Sequence, residues 1–199
     1  MVYADSDVLF PNLRLPFEWL MNHWETPTNR STISMSLEPD LDWIDKIKDS
    51  RGRQGINTGF IFVHNNDSAD PGVLSELFTK WAACPSDTDY PGCGAFKKNW
   101  PAEQWAFSEW VRYEYEENVR ELLAEEAFGW PSWDVVQGPL MRHYTMAKDD
   151  MRTGIESGLA EGMMRIVQES MVANKLELFE FEDWPSSLPS SSSSKTDHV

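Results

Sequence analysis

Apolar positions along the chain fall into short runs that alternate between strand and helix periods. Val2, Tyr3 and Ala4 run straight into Asp5-Ser6-Asp7 and then Val8-Leu9-Phe10-Pro11. This predicts a short strand, buried on both faces in the middle of an α/β sheet, that ends in an acidic turn. Phe17, Leu20, Met21 and Trp24 recur at helical spacing, whereas Ile33, Met35 and Leu37 alternate as a strand. Asp40 is placed to cap a short helix carrying Leu41, Ile44 and Ile47. The polar turn Arg51-Gly52-Arg53-Gln54-Gly55 precedes Phe60-Ile61-Phe62-Val63, whose unbroken apolarity predicts a central strand. Val73, Leu74, Leu77, Phe78 and Trp81 predict the helix that follows it, and Pro85 ends that helix by removing a backbone donor.

Pro101 suits a first helical turn, and Phe107, Val111, Tyr115, Val119 and Leu123 keep a four-residue step. The pattern predicts one long amphipathic helix ending near Gly129. Val135 and Val136 open an extended segment through Leu140 to His143, and Met151, Ile155, Leu159, Met163 and Val167 mark a last helix. Gly154, Gly158 and Gly162 recur every four residues on that helix. Such spacing permits close packing, but charged neighbours exclude a membrane dimer motif. Each glycine also costs ~1 kcal/mol of helix propensity, which predicts a frayed or kinked helix. From Pro185 onward the chain is rich in Ser and poor in apolar residues, so it cannot offset its ordering entropy by burial. The expected organisation is an α/β domain over residues 1–184 with a disordered tail over 185–199.

Length and charge narrow the function. A chain of 199 residues that is 41% hydrophobic can bury one substantial core. A formal net charge of -16 disfavours a counterion-releasing grip on nucleic acid and docking on an anionic membrane surface. No apolar run is long enough for a membrane span, and Met1 is followed by a polar acidic segment, so no signal or anchor is expected in this chain. Ten Trp residues supply core mass and flat faces on which sugar C–H groups can rest. Cys84 and Cys93 bracket the turn formers Pro85, Pro91 and Gly92. A loop-closing disulfide is feasible in an oxidising compartment and two free thiols are expected in cytosol; two cysteines do not decide. Asn29-Arg30-Ser31 and Asn66-Asp67-Ser68 fit the N-glycosylation pattern, a weak pointer to the secretory route.

The chemistry centres on Asp5 and Asp7. Two carboxylates separated by one residue at the end of a strand project at the carboxyl edge of a sheet, where α/β proteins commonly bind ligands. Such hard oxygen donors suit Mg²⁺ or Mn²⁺ bridged to phosphate. Alone, the triplet is also what a solvated turn or a calcium loop would show in so acidic a chain.

Three further segments follow in an order that resembles the metal-dependent glycosyltransferases of the GT-A fold, over roughly residues 2–148. The Asp-x-Asp strand is matched by Tyr3-Ala4-Asp5-Ser6-Asp7-Val8-Leu9-Phe10. An Asn-Thr-Gly segment that opens a strand at the sugar site is matched by Asn57-Thr58-Gly59-Phe60. Glu103-Gln104 stands where the family more often has Asp-Gln. His143-Tyr144-Thr145-Met146-Ala147-Lys148 resembles the family's carboxyl-terminal His-aromatic-x-x-x-Lys segment. The nearest resemblance within the superfamily is to the configuration-retaining galactosyl-, mannosyl- and xylosyltransferases of family 34.

The resemblance implies an incomplete GT-A-like, Rossmann-like α/β sheet flanked by helices, without the nucleotide-binding portion that precedes the Asp-x-Asp strand in the family. It implies Asp5, Asp7 and His143 as ligands of a divalent cation, Mn²⁺ before Mg²⁺, with Asp5 and Lys148 at the donor diphosphate. Asn57, Thr58 and Gly59 are implied at the sugar, and Glu103 and Gln104 as catalytic, acceptor-side residues. The implied partners are a UDP- or GDP-sugar donor and a glycan or glycoprotein acceptor. The Golgi lumen is the implied site, with a membrane anchor only in a full-length form. Two other readings are a non-catalytic remnant with binding functions and an acidic calcium-dependent carbohydrate-recognition module.

Overall fold

The apolar run Phe60-Ile61-Phe62-Val63 becomes part of an inner strand of the sheet. The computed structural model describes residues 1–12, 14–39, 48–98, 102–127, 140–144 and 148–174. β1 (Val2–Ala4) leads through the acidic turn to β2 (Val8–Leu9) and α1 (Phe17–His23), followed by β3 (Thr32–Leu37), β4 (Ile56–His64) and α2 (Val73–Ala83). Two 3-10 turns surround the cysteine loop. α3 (Ala102–Ala106) continues through a π turn (Phe107–Val111) into α4 (Arg112–Glu114). β5 (Val119–Leu122), α5 (Ala124–Ala127), β6 (Arg142–His143) and α6 (Lys148–Ala173) complete the order. The main sheet runs β1-β4-β3-β5, with β4 antiparallel to both neighbours and β5 parallel to β3; β2 and β6 form a separate antiparallel pair.

Alternation along β4 sends its side chains into two cores. Ile61 and Val63 join Ile33, Met35, Leu74, Leu77, Phe107 and Val111 on one face. Phe60 and Phe62 join Leu20, Trp24, Leu122 and Met141 on the other. Covering both faces is why β3 and β4 are buried almost throughout, Ser34 and Ser36 included.

β1 departs from the expectation of a central, doubly buried strand. Among the described residues it is an edge strand that pairs only with β4, and Val2 and Tyr3 remain 36% and 50% exposed. A run of three apolar residues carries too little pattern to separate edge from centre.

The expected long helix from Pro101 to Gly129 is also overturned. Phe107, Val111 and Tyr115 follow the helical step, but Val119 lies in β5 and Leu123 is 59% exposed. The second edge of β3 has backbone groups to satisfy, and Val119–Leu122 pairs with them in register Ile33↔Val119 to Ser36↔Leu122. The side chain of Asn118 donates to the carbonyl of Ser31 at 2.8 Å and ties the strand's start to β3. The π turn has a local cause as well: the Ser108 carbonyl accepts from Arg112 Nε at 2.8 Å, and its hydroxyl accepts the Ile56 N–H at 2.8 Å.

The glycines of α6 do not fray it. A side-chain carbon at Gly154 would enter the ring of Tyr144, one at Gly158 would meet Leu9 and the Tyr144 hydroxyl, and one at Gly162 would lie 3.4 Å from the Pro11 carbonyl. The helix runs from Lys148 to Ala173, and between Gly154 and Gly162 its small residues let it close on Leu9, Pro11 and Tyr144.

The chain divides into two units, Met1–Gly162 and Met163–Val199. Described residues of the second carry the last turns of α6, where Met163, Met164, Val167, Met171 and Val172 are exposed. The helix expected after Asp40, the stretch opened by Val135, and the Ser-rich tail lie outside the described residues. Among the described residues, no helix is long and apolar enough to cross a membrane. Cys84 and Cys93 are disulfide-bonded, which decides the alternative their spacing left open.

Candidate metal centre

Three irregularities in the strands build the site. β1 ends at Ala4, where the Asp5 N–H donates to the Gly59 carbonyl at 2.8 Å, and the Val8 N–H closes the acidic turn on the Asp5 carbonyl at 3.1 Å. β2 then pairs Val8 with His143, and the Tyr144 N–H donates to the Asp7 carbonyl at 3.0 Å, which fixes Asp7 beside the histidine. Opposite them, the β3–β4 ladder jumps from Met35↔Ile61 to Ser36↔Asn57, so Thr58, Gly59 and Phe60 bulge from β4. A bulge of this kind re-aims side chains at the end of a pairing. Here it turns Asn57 and Gly59 toward His143.

Asp5, Asp7 and His143 each offer one ligand atom, and these atoms lie within 4.8 Å of one another. His143 Nε2 stands 3.2 Å from Asp7 Oδ1 and 3.9 Å from Asp5 Oδ2. The ring is buried, while the two carboxylates are partly open to solvent. Burial pushes the Asp7 carboxyl up, but the hydrogen bond and charge of His143 outweigh it and leave it below the ordinary aspartate value. Tyr3 donates to Asp5 Oδ1 at 2.6 Å, a bond that holds the Tyr3 hydroxyl above its usual pKa.

Asn57 decides which way the imidazole is used. Its Nδ2 donates to Glu38 Oε1 at 2.9 Å and its Oδ1 accepts the Gly59 N–H at 2.9 Å, so the amide has one orientation. The same Oδ1 lies 3.0 Å from His143 Nδ1. An acceptor at that distance requires Nδ1 to carry the hydrogen, so Nε2 is the nitrogen turned toward Asp5 and Asp7, where it donates to Asp7 when it carries a proton and offers a lone pair to a cation when it does not. An imidazole nitrogen and two carboxylates converging on one point can be bridged by a proton on Nε2 or by a metal ion, and a buried imidazole whose other nitrogen is hydrogen-bonded is how metal-binding histidines are held. The group can therefore hold a metal ion. Gly59 is required here: a Cβ at that position would fall inside the His143 ring.

The remaining predicted residues separate into two roles. Asn57 and Thr58 are buried, and Asn57, expected to face a sugar, instead stands behind the imidazole with its polar atoms engaged. Gln104 braces the bulge, accepting the Thr58 N–H at 3.1 Å and donating to Glu38 Oε1 at 3.0 Å. Glu103 is exposed and lines a cavity with Tyr3, Asp5 and Thr58. Lys148 opens α6, and its side chain lies outside the described residues.

Glu38 has no signature in the sequence. It follows β3 in a stretch that reads as a strand end, and only the fold brings it to Asn57 and Gln104. Burial pushes its carboxyl above the ordinary glutamate value, and the two amide donors offset that only in part.

Comparison with protein-family models, with curated proteins and with solved structures returns no match.

Proposed function

We propose that the chain carries the metal- and acceptor-side part of a glycosyltransferase that moves a hexose or pentose from a nucleoside-diphosphate sugar to a glycan or glycoprotein. The observation that carries this reading is the convergence of Asp5, Asp7 and His143, which are far apart in the sequence, with Asn57 fixing the ring nitrogen that faces them. The order of the four segments in the sequence is the second support. A histidine in the ligand set favours Mn²⁺ over Ca²⁺, which prefers an all-oxygen shell, so the calcium-dependent module is the weaker reading.

A divalent cation bound here supplies positive charge against the donor's diphosphate as the nucleoside diphosphate departs. Asp5 and Asp7 would hold it with charge, and His143 would hold it through Nε2. Asn57, Gly59 and Gln104 keep that arrangement from relaxing, the preorganisation on which electrostatic stabilisation depends. Lys148 is proposed at the diphosphate, and Glu103 at the acceptor on the exposed side, in a reaction that retains anomeric configuration. The Cys84–Cys93 disulfide supports an oxidising compartment, for which we propose the Golgi lumen.

The test is nucleoside diphosphate release from a panel of UDP- and GDP-sugars in the presence of Mn²⁺. Turnover that disappears in Asp7→Ala supports the enzyme. Metal binding without any donor turnover makes the chain a non-catalytic remnant, and turnover indifferent to Asp7→Ala contradicts the reading.

A further inference from the structure

Beside the metal centre the surface opens into two cavities of 410 and 550 Å³ that share Phe78, Trp81 and Glu103. The smaller begins at Asp5 and Tyr3, and the larger continues past Ala82 and Pro85 along the Cys84–Cys93 disulfide. Together they form a cleft of ligand-binding size that starts at a proposed metal ligand.

The walls are flat and apolar, and the indole is set firmly. Trp81 Nε1 donates to the Glu103 carbonyl at 2.9 Å, its ring stacks on Phe78 at 6.1 Å, and its edge packs on Phe107 at 5.0 Å. The polar side chains at the Asp5 end are two carboxylates, Asp5 and Glu103, together with the hydroxyls of Tyr3 and Thr58. No Lys or Arg side chain lines either cavity among the described residues, and the Met1 ammonium that borders the smaller one donates to the Val63 carbonyl at 2.8 Å. Phosphates and acidic polymers are therefore repelled, in keeping with the chain's overall charge. A wholly apolar ligand would leave the carboxylate end unpaired. The ligand class that answers both halves has an apolar face to lie on an indole and several hydroxyls to donate to carboxylates.

We propose that this cleft binds a neutral oligosaccharide, with one ring stacked on Trp81 and a hydroxyl of the terminal ring donating to Glu103 beside Asp5. The proposal rests on the glycosyltransferase reading, since it seats an acceptor hydroxyl next to the residues that would hold the metal and donor. It adds the aromatic run Tyr3, Phe78 and Trp81 to the residues that select the acceptor, and it makes the disulfide loop one wall of the acceptor site.

Saturation-transfer NMR of the full chain with mannotetraose and cellotetraose, and with tetragalacturonate as an anionic counterpart, tests it without donor or metal. At least one neutral tetrasaccharide should bind and the anionic one should not. Trp81→Ala should weaken binding by roughly tenfold, the scale of a lost aromatic contact. Because Trp81 also touches the core, Glu103→Ala provides an exposed second variant, expected to weaken binding about tenfold through loss of a charged acceptor. Absence of binding by both neutral probes, or binding untouched in both variants, overturns the proposal. Mn²⁺ binding is measured on the same samples: metal bound with no saccharide sinks the cleft alone, whereas saccharide bound with no metal supports the cleft and sinks the metal reading.

Discussion

The amide oxygen of Asn57 stands 3.0 Å from Nδ1 of His143 and so determines that Nε2 faces Asp5 and Asp7. The bond spans 86 residues of sequence and joins the bulge of β4 to the short strand β6. The geometry of the candidate centre depends on it.

Replacing Asn57 by Ala removes that bond while the two aspartates and the histidine stay in place. Divalent metal affinity should fall by about 10- to 100-fold, the usual cost of losing the partner behind a metal-bound histidine. Titration with Mn²⁺ followed by electron paramagnetic resonance reads this directly, and unchanged affinity would show that Asn57 has no such role.

Gly59→Ala inserts a carbon where the His143 ring lies. The ring has a buried wall behind it, so an overpacking cost of about 1–3 kcal/mol is expected in urea unfolding, together with loss of metal binding. Full stability would mean that the bulge relaxes freely.

On an exposed helix, Gly→Ala stabilises by ~1 kcal/mol. Gly154→Ala should reverse that sign because the new carbon meets the ring of buried Tyr144, whereas Gly162→Ala, 3.4 Å from the Pro11 carbonyl, should be close to neutral. Thermal unfolding of the two variants side by side separates close packing from simple helix propensity.

The buried pair Arg112–Asp49, with Tyr113 also donating to Asp49, ties the helical segment to the turn before β4. Arg112 is 1% exposed, and Arg112→Met leaves a buried carboxylate uncompensated at a cost of about 3–5 kcal/mol. Burial raises the Asp49 carboxyl, but hydrogen bonds from Tyr113 and Arg112 prevail and hold it below its ordinary value of 3.8. With the folded pKa depressed, this stabilisation is complete above the unfolded value and is lost as pH falls through the folded one. Urea unfolding between pH 2 and 6 should therefore show a shallower acid loss in Asp49→Asn than in the parent; identical slopes would exclude Asp49 as a contributor.

Much of this was legible in the residue pattern, and the exceptions share a cause. α2 and β4 were readable because long apolar runs with Pro or Gly boundaries leave little choice. Val119 fits a helical step and a parallel edge strand equally well for one turn, and the deciding factor, the open edge of β3, lies elsewhere in the sequence. Asp5, Asp7 and His143 could be named from motif spacing. The place of Asn57 behind the imidazole and the involvement of Glu38 leave no trace in the residue pattern, since both depend on a bulge that appears only when β3 and β4 pair. The stripe of glycines on α6 shows the same limit: propensity reads them as weakness, and Tyr144 and Leu9 make them a packing surface.

The most direct measurement is an Mn²⁺ titration of the parent chain, Asp7→Asn, His143→Gln and the control Asp67→Asn, an exposed acid away from the centre. A single site should appear in the parent and the control, with affinity lowered at least about tenfold in Asp7→Asn and in His143→Gln. Equal affinity in all four proteins, or no binding in the parent, would contradict the assignment of Asp5, Asp7 and His143 as a metal centre.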